Sequence, residues 1–186
     1  IAEDDPESSH IRMGPVVFWG GLITLSAFMC EGATENWSAL HIERTLGGRA
    51  AEGAFGPFML GFTMAIGRFA GQVVVERMSE VRVIIGASLL SALGAAIAAF
   101  APVPLVAYIG FATLGLGVSV VAPMALALVG QKVRARDRTA AISRTAVIGF
   151  AGFVIGPPLF GFAAELVSLR LSFLLVAGIL AACILW

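Results

Sequence analysis

Apolar runs long enough to cross a lipid bilayer follow one another along almost the whole chain, separated only by short polar joints. Val83 to Ala101 shows the pattern, with no charge and only Ser88 and Ser91 as polar side chains. A helix needs ~20 such residues to cross ~30 Å of hydrocarbon. A spanning segment must satisfy its own backbone hydrogen bonds, and these runs lack the alternation of barrel strands, so each is expected to be helical. The chain therefore reads as an all-α membrane protein with six transmembrane helices, near residues 15–41, 53–75, 83–101, 104–130, 139–167 and 171–186. Residues 1–14 read as a solvated cytoplasmic linker without the basic leader of a signal peptide, and the chain looks cut from something longer.

Charged residues make up 13% of the chain, against about a quarter in soluble proteins. Mean hydropathy is +0.94. The 12 basic and 12 acidic residues cancel, so bulk charge points to no nucleic-acid partner. Their distribution sets an orientation instead. With the amino terminus cytoplasmic, Arg12, Arg77, Arg82, Lys132, Arg134, Arg136, Arg138 and Arg144 lie inside and only Arg44, Arg49 and Arg170 outside, as the positive-inside rule requires. Cys30 and Cys183 fall in different runs and read as small packing residues. His10 and His41 lie near or beyond a membrane surface, and Asp4, Asp5 and Asp137 are all extramembrane. That inventory offers no intramembrane metal cluster, aspartyl pair or serine–histidine arrangement, so neither an enzyme nor a cofactor is expected.

Three polar features inside the runs require a reason. Glu31 lies about 24 Å up the first helix when counted from Pro15, with Glu35, Asn36 and Trp37 just beyond it. These four are candidates for substrate or proton binding in a water-filled cavity; the alternative is a helix end already wet, with Trp37 as interfacial anchor. Arg68 lies about 22 Å from the opposite surface, so the two depths differ by more than ~10 Å, which argues against a Glu31–Arg68 ion pair. Arg68 is expected instead to snorkel toward the inner surface along the stripe of Gln72 and Glu76, in a structural and gating role. Gly156-Pro157-Pro158 removes two backbone donors from the fifth run, giving either a flexing point or a static bend. Glycine and alanine at Gly86, Gly94, Ala95, Ala98, Gly110, Gly115 and Gly117 are expected to let helix backbones approach closely.

The joint from Gly67 to Arg82, with Gly67, Arg68, Gly71, Glu76 and Arg77 in register, resembles the signature cytoplasmic loop of the major facilitator superfamily in its degenerate carboxyl-terminal form; Ser79 replaces the usual glycine. The segment Glu31 to Leu40 and the Gly156-Pro157-Pro158 segment are similar to the seventh and eleventh helices of a bacterial branch related to fucose–proton symporters. The resemblance implies twelve helices in two halves that rock around a shared cavity. This chain would then be the carboxyl-terminal half of a proton-coupled secondary transporter of a small solute in a bacterial inner membrane, its partners being the solute, the bilayer and an amino-terminal six-helix half. Arg68, Gly71, Glu76, Arg77 and Arg82 would form its gating loop. The competing reading is a non-transporting polytopic subunit for assembly or sensing.

Overall fold

The computed structural model describes residues 14–75 and 77–183, with the side chains of residues 72, 74 and 75 excepted. The expected linker 1–14, apart from Gly14, the gating-loop residue Glu76 and the last three residues therefore lie outside the described residues. The described chain is helical with short turns: α1 (Pro15–Leu40), α2 (Ala50–Gly53), α3 (Phe55–Val75), α4 (Glu80–Phe100), α5 (Pro104–Lys132), α6 (Arg138–Leu166) and α7 (Leu169–Ala182). Helix starts follow local chemistry. Pro15 and Pro104 occupy the first turns of α1 and α5, where a missing N–H costs nothing, and the Ser168 hydroxyl caps α7 by accepting from Leu171 N at 3.2 Å. Among the described residues four segments are long and apolar enough to cross a membrane, namely Pro15–Thr45, Glu80–Phe100, Pro104–Lys132 and Ala135–Leu166, while α7 is apolar but shorter.

The first expected run does not end at His41. The helix continues through a π-helical turn, His41–Thr45, so that 31 residues form one rod. Gly47, at φ +69°, then reverses the chain in a conformation that disfavours a Cβ, and α2 leads into α3. His41 consequently lies fully buried rather than at a surface. Its Nε2 donates to Ala98 O at 3.1 Å, and its ring lies edge-on to Phe111 and Phe173.

α5 runs through the centre, packed against α1, α3, α4 and α6, while α1 also packs along α6 and α4 along α7. Close approach of backbones makes three of these seams. A Cβ on Gly152 would lie 2.5 Å from Leu25 O, and one on Gly156 2.5 Å from Met29 O, so α6 rests directly on α1. Gly94, Gly110 and Gly117 do the same between α4 and α5, and Gly115 between α5 and α3. Gly86 departs from the expectation, since it faces open space. Phe111, Leu114, Phe173, Leu180 and Leu60 fill the space between these helices. Outside, the surface is inverted relative to a soluble domain: Phe62, Phe69, Val147 and Val154 are more than half exposed, as suits helices that face hydrocarbon or further protein.

The turns fall at two ends. Residues 41–54, 101–103 and 167–168 share one end, tied by Tyr108 Oη donating to Glu52 O at 2.8 Å and Arg170 Nη1 donating to Ala99 O at 3.3 Å. The joints at 77–79 and 133–137 share the other, tied by Gln131 Nε2 donating to Glu80 Oε1 at 2.6 Å and Arg138 Nε donating to Gly130 O at 2.9 Å.

Candidate functional site

The expectation that Glu31 and Arg68 stay apart is wrong. Arg68 Nη2 on α3 lies 3.9 Å from Glu31 Oε1 on α1. The depth count failed because it used two different surfaces as origins and took the first helix to end at His41. Measured from the end they share, Glu31 lies 14 positions before Thr45 and Arg68 lies 13 positions after Phe55. At ~1.5 Å per residue both then sit about 20 Å below that end, near mid-membrane. Arg68 accordingly turns toward α1 and does not snorkel to the opposite surface.

The pair is lopsided. The Glu31 side chain is 13% exposed and the Arg68 side chain 59%. At 3.9 Å the contact is an ion pair too long for a hydrogen bond, and among the described residues the guanidinium makes no hydrogen bond at all. Glu35 and Asn36 are exposed one turn beyond Glu31, Glu35 on the same face of α1 as Glu31. Asn36 Nδ2 donates to Gly32 O at 2.7 Å, leaving its Oδ1 available as an acceptor.

Two motifs that are far apart in sequence meet at the next level. Trp37 Nε1 donates to Pro157 O at 3.0 Å, its ring stacks on Phe160 with centroids 5.9 Å apart, and it covers Gly161 so closely that no Cβ would fit there. Asn36, Trp37, Pro157 and Pro158 line an open groove of about 490 Å³ between α1 and α6. Helix α6 runs unbroken through Gly156, Pro157 and Pro158. The Trp37 contact makes this segment part of the wall of the groove and not a separate feature.

The loop residues stay apart from that cluster. Gly71 is buried, with α5 close enough that a Cβ would lie 2.5 Å from Val120 Cγ1. Arg77, in the turn after α3, and Arg82, in the first turn of α4, are exposed, and Arg77 lies nine positions beyond Arg68. Arg68 thus belongs spatially with Glu31 and not with the loop. Ser79, where the loop signature has glycine, adopts φ −68°, ψ 147°, an extended conformation open to any residue. Sequence reasoning missed the Glu80–Gln131 bond that joins α4 to α5 at this end; the only sequence signal was an acid in the first turn of a helix.

Comparison with known proteins places this architecture. The sequence profile of the Major Facilitator Superfamily matches residues 20–186. An uncharacterized MFS-type transporter of Yersinia pestis is 31% identical over 164 residues, covering 88% of this chain and 42% of the relative. The membrane protein MosC of Rhizobium meliloti is 30% identical over 166 residues, 88% of this chain and 40% of that protein. Among solved structures, the fucose:proton symporter FucP of E. coli superposes with a TM-score of 0.82 at 20% identity, over 91% of this chain and 41% of FucP. The chain thus spans about two fifths of the length of the proteins it matches. With its profile, its relatives and its helical fold in agreement, the chain belongs to the Major Facilitator Superfamily.

Proposed function

We propose that this chain is the carboxyl-terminal half of a proton-coupled secondary transporter, in which α1 and α3 to α7 provide six crossings and the groove side of α1 faces the solute. The partner it needs is an amino-terminal six-helix half, and the solute is a small molecule held between the two by alternating access. The membrane is a bacterial inner membrane, with the 77–79 and 133–137 joints on the cytoplasmic side by their basic residues.

The observation that carries this reading is the Glu31–Arg68 pair. Ionised groups near mid-membrane are costly, and they persist where they face a hydrated interior and do work there. A carboxylate beside a guanidinium can release its ion pair by taking a proton, and a change of one charge in a low-dielectric site is the kind of event that biases a two-state rocking motion. The groove lined by Asn36, Trp37, Pro157 and Pro158 begins one turn beyond Glu31 along α1 and has the size expected of a small-molecule site. The relative named as an MFS-type transporter and the structural likeness to a fucose:proton symporter agree with this reading.

The test is transport by the complete protein in proteoliposomes. A panel of labelled small solutes is screened under an inwardly directed proton gradient, with and without a protonophore. Accumulation of at least one solute that collapses with the protonophore is expected. A protein that accumulates none, yet folds and assembles with other membrane components, is a non-transporting subunit.

A further inference from the structure

The charge of the solute follows from the charge balance at the Glu31–Arg68 pair, if the proton-coupled reading above holds. As it stands the pair is neutral. Protonation of Glu31 leaves the Arg68 guanidinium as an uncompensated cation near mid-membrane. Besides Arg68, Glu35 is a charged group that bears on Glu31. Glu35 lies about 6 Å further toward the open end, is itself exposed, and forms no ion pair with Arg68. Its charge is therefore screened by solvent to a degree that the deeper pair is not.

A neutral solute entering with a proton would leave the site with a net positive charge; a singly charged anion would not. Arg68 is also the better exposed member of the pair, and its five N–H donors make no hydrogen bond among the described residues. A planar guanidinium of this kind is suited to bidentate recognition of a carboxylate. We propose that the solute is a small monoanion carrying a carboxylate, which takes over Arg68 while Glu31 holds the coupling proton. One proton and one negative charge enter together, and the charge of the site is unchanged between its empty and loaded states.

Arg68 itself can report this through a series of simple carboxylates. In the complete protein reconstituted in liposomes, the rate of phenylglyoxal modification at Arg68 is followed by peptide mass spectrometry. The probes are acetate, lactate and gluconate, each compared with a neutral counterpart: acetamide, lactamide and glucose. At least one carboxylate is expected to slow modification by about tenfold when present at roughly ten times its Kd, and the neutral counterparts to have no effect. In Glu31→Gln, which keeps the shape but holds no negative charge, the half-protecting carboxylate concentration should fall by about tenfold. For wild type, protection should be stronger in mildly acidic than in mildly alkaline buffer, which provides the same comparison should Glu31→Gln fail to fold. Protection by neutral solutes equal to that by carboxylates would overturn the inference, as would modification that no carboxylate slows. Failure of the transporter reading looks different, because acid-driven accumulation would then be missing for every solute. A neutral solute that accumulates with acid, and whose uptake survives Arg68→Gln, defeats only the anion assignment.

Discussion

Arg68 on α3 and Glu31 on α1 come within 3.9 Å of each other at the same depth, although 37 positions separate them and their helices run in opposite directions. Nothing else in the described fold links α1 and α3 at mid-membrane through charge. In a bundle held mainly by close packing of small residues, such a pair is the element able to report protonation to two helices at once.

The packing seam between α1 and α6 makes the first prediction. Gly156→Val places branched carbons where Met29 O already lies 2.5 Å from an ideal Cβ, so the helices must separate. A loss of about 1–3 kcal/mol is expected, read as a lower thermal-unfolding midpoint in detergent. Gly86→Ala is the matched control, because Gly86 faces open space and the change should stay within about 0.5 kcal/mol or gain slightly from helix propensity.

The Trp37–Pro157 hydrogen bond makes the second. Trp37→Phe keeps an aromatic ring beside Phe160 but removes the indole donor, for an expected loss of about 0.5–1.5 kcal/mol. Gly161→Ala should cost more than that, since the Trp37 ring occupies the space of its Cβ. Equal unfolding midpoints for wild type and both variants would show that the wall of the groove does not depend on this contact.

Much of the fold was legible in the sequence because apolar length and polar joints are direct physical requirements of a bilayer. Helices α4, α5 and α6 begin and end within a few residues of the runs read from composition. The candidate site was less legible. Glu31, Asn36 and Trp37 announced themselves as polar residues within or beside apolar runs, but their partners depend on helix tilt and on where each helix starts. The π-helical turn His41–Thr45 lengthens α1, and counting both residues from the end that α1 and α3 share brings Glu31 to the level of Arg68. The contact of Trp37 with Pro157 is tertiary, across 120 positions, and no local pattern encodes it. His41, at the end of the apolar run in sequence, is buried because the same π-helical turn carries α1 past it.

Orientation is tested by single-cysteine labelling of a variant lacking Cys30 and Cys183. Ser79→Cys and Ala135→Cys, both exposed, should react with an impermeant maleimide only from the cytoplasmic side, and Ala51→Cys, exposed at the other end, only from outside. Reversed labelling would invert the proposed topology.

The bond from Gln131 to Glu80 ties the α3–α4 end of the bundle to the start of the α5–α6 joint. Breaking it with Gln131→Ala should change the maximal uptake rate severalfold while the KM shifts by less than about twofold, because the contact is far from the groove and bears on the balance between conformations. A KM change with a normal maximal rate would place the contact in solute binding instead.

The most direct measurement compares wild type with Glu31→Gln in proteoliposomes, using a solute that the wild-type protein accumulates. Uptake driven by an inward proton gradient is set against solute exchange at equal pH on both sides. Wild type should respond to the gradient, while Glu31→Gln should keep exchange and lose the response, because glutamine preserves shape and hydrogen bonding but carries no proton to couple. Gradient-driven uptake by Glu31→Gln at the wild-type level, with unchanged solute affinity, would contradict the role assigned to the Glu31–Arg68 pair.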